Sequence, residues 1–145
     1  MNKPFLSQIP DHMARPFINN YCDKWGIPYD KDADYAYGNS VLWMGSFYKN
    51  SLRAVCGLFV SDDLPGELFV YGFYGDGTKY QALAIRALIA LIEDMPYNHK
   101  YGYIVADNAA MLKTCQKFGW IIEGEGMLPD GRDVVKAGKY GNGIG

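Results

Sequence analysis

The stretch Gly75-Asp76-Gly77-Thr78-Lys79-Tyr80-Gln81 has the residue types that proteins use to hold an anion. Its glycines make a tight turn between two apolar runs, one ending at Tyr74 and one filling Ala82 to Ile92. Where a strand enters a helix through such a turn, the first backbone N–H groups of the helix lack partners within it. The macrodipole adds partial positive charge there, so an anion is what such a turn can hold. A competing use is written into the same residues. Thr78-Lys79-Tyr80-Gln81 has the Ser/Thr-x-x-Glu/Gln form of a capping box, in which the Thr78 hydroxyl takes the N–H of Gln81 and removes one donor. The stretch is not a P-loop, because Lys79 follows Thr78 and the leading glycine spacing is absent. Asp76 reads as a turn residue.

Other chemistry-bearing residues form no recognisable set. Asp30, Asp32 and Asp34 imitate the opening of an EF-hand loop. Tyr35 then stands where the turn glycine belongs and Val41 where the bidentate Glu belongs, so a solvated acidic loop is the reading. His12 and His99 are far apart and outside any metal-ligand spacing, so no metal is expected. There is no Gly-x-Ser-x-Gly elbow. Cys22, Cys56 and Cys115 each sit in an apolar stretch and read as reduced, buried thiols of a cytoplasmic protein.

The totals bound the rest. A chain of 145 residues, 49% hydrophobic and 21% charged, suits one domain with its own core. The net charge is −2 and no Lys/Arg cluster is present, which argues against nucleic acid as a partner. No signal peptide is evident and no apolar run spans a bilayer, so no membrane role is expected. Twelve tyrosines point to half-buried strands or an adhesive surface. Gly141 to Gly145 read as a loose tail after a single domain over residues 1–140.

The elements that must position these residues follow from periodicity and punctuation. Lys3 to Ile9 reads as an edge strand. Asp11 caps a helix whose face is Phe17, Ile18, Tyr21, Cys22 and Trp25; Pro16 kinks it or marks a later start, and Gly26 closes it. Val41–Tyr48 and Leu52–Val60 form a hairpin about Asn50-Ser51, and Glu67–Tyr74 is a third strand. Apolar residues on both faces imply a sheet covered on both sides. A helix from Thr78 to Met95 follows. Between Ala82 and Ile92 only Arg86 is polar, so this helix is expected to pack on every side. Then come a strand at Tyr101–Ala106 and a helix, Ala109–Phe118, capped by Asp107-Asn108 and ended by Gly119. Its inner face is Met111, Leu112, Cys115 and Phe118. Strands at Trp120–Gly126 and Asp133–Lys139 flank the turn Pro129-Asp130-Gly131. The fold class is α/β in the mixed α+β sense, a central, mostly antiparallel sheet with helices on both faces.

This order, together with Asn108 to Trp120, resembles the GCN5-related N-acetyltransferase (GNAT) superfamily. An Asn opens a helix that closes on Lys117-Phe118-Gly119-Trp120, similar to the family's second motif. The acyl-CoA motif Gln/Arg-x-x-Gly-x-Gly/Ala finds its best register at Lys79-Tyr80-Gln81-Ala82-Leu83-Ala84, with Lys79 in the first polar place and Ala82 in that of the first glycine.

The resemblance implies acetyl-CoA as cosubstrate and an unidentified amine as acceptor. It implies a cofactor site at Phe73, Tyr74, Lys79, Tyr80, Gln81, Ala82, Ala84 and Asn108. The family takes the amine's proton with a base, often a carboxylate, and returns a proton to the leaving thiolate from a Tyr in the last helix. Here Glu67 opens the strand that supplies such a base, and Cys115 occupies the usual Tyr position. Pro28 to Asn39 lies where the family places acceptor-binding elements. The alternative is a GNAT fold without catalysis, similar to small internal or GNAT-like proteins of tailed bacteriophages. Such a protein would work through a protein partner or virion components, in the host cytoplasm or the virion.

Overall fold

Glycine and proline punctuation sets where the elements begin and end. A computed structural model describes residues 3–25, 41–61, 63–128 and 131–140, the side chain of Trp25 excepted. The order is β1 (Phe5–Ile9), α1 (Asp11–Trp25), β2 (Leu42–Tyr48), β3 (Ser51–Phe59), β4 (Glu67–Gly75), α2 (Gln81–Glu93), β5 (His99–Val105), α3 (Ala109–Lys117), β6 (Ile121–Met127) and β7 (Asp133–Tyr140). Seven strands form a mostly antiparallel sheet in the order β1-β2-β3-β4-β5-β7-β6. The β4–β5 ladder is parallel. This is the expected mixed α+β architecture. The acidic loop, the acceptor-loop reading of residues 28–39, the closing role of Gly26 and the tail at 141–145 lie outside the described residues. The chain divides into two compact units, Met1–Phe59 with Phe73–Met95, and Val60–Gly72 with Pro96–Gly145.

In the first unit, β1, β2 and β3 form an antiparallel meander, and α1 and α2 pack on β2 and β3. Every residue of β3 from Ala54 to Leu58 is buried, so this part of the sheet is covered on both faces. The β2–β3 turn is Lys49-Asn50 rather than Asn50-Ser51, with φ of 53° and 63°. A two-residue hairpin loop matched to strand twist needs both central residues at positive φ, and Asn50 tolerates this better than Lys49. Helix α1 starts at Asp11, with the Pro10 carbonyl taking the N–H groups of Met13 and Ala14. Asp11 is thus a first-turn residue rather than the cap, and Pro16 lies inside the helix rather than at a later start. Ala14, Ile18 and Cys22, four residues apart, are its buried line.

Helix α2 begins at Gln81, three residues later than expected, and does not pack on every side. Ala84, Leu88, Ile89 and Ile92 are buried, whereas Ala82, Leu83, Arg86 and Ala90 form an exposed stripe. The apolar count misleads because alanine is the strongest helix former and carries too little side chain to demand burial.

In the second unit, β7 pairs antiparallel with β5 and with β6. Glu67 to Val70 of β4 pair parallel with His99 to Gly102 of β5. A bulge interrupts β6 between Ile122 and Gly124. Asn108 caps α3 as expected, its Oδ1 accepting the Met111 N–H at 3.1 Å. Gly119, at φ 86°, ends it. The Trp120 N–H reaches the Cys115 carbonyl and the Gly119 N–H reaches the Gln116 carbonyl, the Schellman arrangement.

Candidate functional site

The β4–α2 turn belongs wholly to the first unit. The Asp76 N–H extends the ladder to the Arg53 carbonyl at 2.9 Å. Asp76 Oδ1 accepts from the Thr78 N–H at 2.9 Å and the Thr78 hydroxyl at 2.7 Å, and Oδ2 accepts from Arg53 at 3.1 Å. Burial pushes the Asp76 carboxyl up; the bonds from Thr78 and Arg53 and the Arg53 charge outweigh it and hold the carboxyl below its ordinary range. Arg53 is itself fixed, donating from Nε to the Tyr48 carbonyl at 2.9 Å and lying 4.7 Å from the centre of the Tyr80 ring. Asp76 is therefore a turn residue, as expected, and an anchor for the guanidinium.

The expected capping box does not form. The Thr78 hydroxyl accepts from the Tyr80 N–H at 3.2 Å, and the Gln81 N–H goes instead to the Thr78 backbone carbonyl at 3.2 Å. Gln81 folds back so that its Oε1 accepts from the Gly77 N–H at 2.9 Å. Glycine is needed on this path. A Cβ at Gly75 would strike the Gln81 amide, and one at Gly77, which has φ 81°, would strike the Lys24 side chain. The box fails because Asp76 holds the Thr78 hydroxyl one residue too early to reach Gln81. Among the described residues, the backbone N–H groups of Lys79, Ala82 and Leu83 accordingly have no hydrogen-bond partner. They sit at the positive end of α2 on exposed residues, with Lys24 and Lys79 nearby.

The other residues of this site are placed as follows. Tyr80 packs edge-on against Tyr48 at 5.5 Å, and Tyr74 against Tyr21 at 5.3 Å. Phe73 is half-buried and Ala82 exposed. Ala84 is fully buried, so its side chain faces the core rather than solvent. Asn108 belongs to the second unit, where its side chain is occupied as the cap of α3.

The second unit holds a cluster that sequence reasoning missed. The His99 ring lies between two carboxylates, with Nε2 at 2.8 and 3.1 Å from the Glu123 oxygens and Nδ1 at 3.4 Å from Glu67 Oε1. It is stacked between Tyr140 at 4.6 Å and Tyr101 at 5.2 Å. Glu123 comes from the β6 bulge, and its carboxylate lies where a Cβ on Gly138 would be. The missing side chain on β7 thus lets Glu123 cross one strand to reach β5. Burial pushes the Glu123 carboxyl up, but the bonds with His99 and Tyr140 and the charges of His99 and Lys136 hold it below its ordinary range. The bond with Glu123 and its charge raise the Tyr140 phenol. Dismissing His99 for lack of metal spacing overlooked the alternation Glu67-x-Phe69-x-Tyr71 and His99-x-Tyr101-x-Tyr103. Among the described residues, no group of three or more His, Cys, Asp or Glu could hold a metal ion.

The two candidate catalytic residues are not brought together. The face of Glu67 is that of His99, Tyr101 and Tyr140. Lys139, adjacent to Tyr140 and so on the opposite face, donates to the Phe118 carbonyl at the end of α3, the helix of Cys115, at 2.7 Å. The Cys115 thiol is buried, and burial pushes it up to about 11.

Compared by sequence, the chain matches no family model and no curated protein. Compared by structure, it is similar to the ribosomal-protein-S18-alanine N-acetyltransferase from Escherichia coli, with TM-score 0.71 and 15% identity over 94% of this chain and 93% of that one. It is similar to a GNAT-family acetyltransferase from Bacillus cereus, with TM-score 0.73 and 13% identity over 97% and 99%. A putative phosphinothricin N-acetyltransferase gives TM-score 0.71 and 12% identity over 97% and 99%. At these identities the likeness is one of fold. It covers nearly the whole chain, and the protein has the fold of the GCN5-related N-acetyltransferases.

Proposed function

We propose that this protein transfers an acetyl group from acetyl-CoA to an amine. The observation that carries the reading is the set of unpartnered N–H groups of Lys79, Ala82 and Leu83 at the start of α2, on an acetyltransferase fold. These donors, with the ammonium groups of Lys24 and Lys79, fit a pyrophosphate. Ala82 is compatible with this, because its position is exposed rather than wedged against a neighbour. Tyr80, Phe73 and Tyr74 would flank the same ligand, whereas Gln81 and Ala84 act behind it, one bracing the turn and the other packing the helix.

Bound acetyl-CoA supplies an acyl group activated as a thioester; a C–N bond forms as the C–S bond breaks, the amine loses a proton and the thiol leaves with one. Glu67 would be the base for the amine's proton: His99 approaches one of its oxygens at 3.4 Å, and the other has no partner among the described residues. Cys115 suits the returning proton poorly. At about 11 it is a weaker acid than an ordinary thiol near ~8.5, so it would have to donate uphill.

That mismatch favours a second reading, a fold that retains acetyl-CoA binding and has lost turnover. Thermal unfolding with millimolar acetyl-CoA, paired with a thiol-release assay over a panel of amines, separates the two. Binding at a hundred times the dissociation constant raises stability by ~2.7 kcal/mol. A shift with thiol release supports the transferase, and a shift without release supports the second reading. No shift overturns both.

A further inference from the structure

The second unit carries a continuous aromatic surface beside an incompletely satisfied carboxylate. The β4–β5 register pairs Glu67 with His99 and Phe69 with Tyr101. Alternation therefore puts Glu67, Phe69 and Tyr71 on one face with His99, Tyr101 and Tyr103. The rings touch throughout: Phe69 lies 5.3 Å from Tyr101, 6.0 Å from Tyr103 and 6.0 Å from Tyr71. Tyr103 is 48% exposed, so the surface reaches solvent. At ~3.3 Å per residue it runs roughly 13 Å from Glu67 to Tyr71.

This surface already accommodates a cation. The Lys136 ammonium stands 4.6 Å from the centre of the Tyr101 ring, an intramolecular example of an alkylammonium on this face. The carboxylates differ in how fully they are used. Glu123 takes His99 at 2.8 and 3.1 Å, whereas Glu67 has, among the described residues, only the 3.4 Å approach of Nδ1, with its side chain 35% exposed. A charged carboxylate with spare acceptor capacity, at the end of a row of ring faces, is complementary to an ammonium carrying an alkyl chain.

We propose that the Glu67–Tyr71 and His99–Tyr103 face binds a primary alkylammonium ion, its ammonium on Glu67 and its chain along Phe69, Tyr101 and Tyr103. This binding does not rest on the transferase reading. His99, clamped by Glu123 across Gly138, is on this view the positioning group that leaves one Glu67 oxygen free.

The test is an NMR titration of the full chain without acetyl-CoA, following the Phe69, Tyr101 and Tyr103 ring protons as n-butylammonium is added, with n-butanol and butyrate as controls. Saturable shifts with butylammonium alone are expected, weakened at least tenfold by Glu67→Gln. The exposed Tyr103→Leu is expected to weaken them severalfold, and it decides the matter if Glu67→Gln misfolds. Equal shifts with n-butanol, shifts mapping to other residues, or unchanged binding in the variant that folds would overturn the proposal. A cation site without an acetyl-CoA thermal shift would remove only the transferase reading. Acetyl-CoA binding without the cation site would remove only this inference.

Discussion

Gly138 shows how a residue without a side chain can assemble a site. Its absent Cβ is the space in which the Glu123 carboxylate lies, so Gly138→Ala forces Glu123 away and leaves the buried His99 without its nearer carboxylate. A buried polar group deprived of its partner in this way costs about 1–3 kcal/mol. Gly124 on the neighbouring strand is the control, since among the described residues a Cβ there meets nothing within 4 Å. Chemical denaturation is expected to show Gly138→Ala destabilised by that amount and Gly124→Ala within ~0.5 kcal/mol of wild type. None of this was legible in the sequence. Glu123, Gly138 and His99 are distant in the chain, and only strand register makes them neighbours. Asp76 is the opposite case: a turn role followed from Gly-Asp-Gly alone, because its bonds to Thr78 are two residues long.

Helix α2 is where composition and packing part company. Its run of apolar residues predicted burial all round, yet one stripe of Ala82, Leu83, Arg86 and Ala90 faces solvent. The sequence shows which residues are apolar. Which of them are covered depends on how the helix is rolled on β2 and β3. The difference is measurable: Leu88→Ala, at a position with 0% exposure, is expected to cost about 2–5 kcal/mol. Leu83→Glu, at a position 39% exposed, is expected to stay within ~0.5 kcal/mol in the same unfolding assay. The start of the same helix shows a local motif overruled by its neighbours. Thr78 and Gln81 are correctly spaced for a capping box, but Asp76 captures the hydroxyl and the Gly77 N–H captures the Gln81 amide. The donors at Lys79, Ala82 and Leu83 remain without partners among the described residues as a consequence, as the proposed phosphate site requires.

For the molecule as a whole, acid is the most direct probe of the two clusters, since each holds a carboxylate below its ordinary value, Asp76 in one unit and Glu123 in the other. A depressed folded-state pKa gives stability that is fully present above the unfolded value and is lost as pH falls through the folded one. Stability is therefore expected to decline as pH drops below the ordinary values of 4.5 for Glu123 and 3.8 for Asp76. Glu123→Gln should flatten that decline in a pH series of denaturation midpoints while lowering stability at neutral pH. An equally steep acid limb in the variant would show that Glu123 contributes nothing to it. The sequence by itself determined the order of elements, the caps at Asn108 and Gly119 and the acetyltransferase architecture. Those depend on turn chemistry and periodicity over a few residues, and the architecture on their order. Tertiary structure alone decided which side of α2 is wet and that Glu67, His99 and Glu123 meet. Each of these depends on contacts between residues that pairing and packing bring together across the chain.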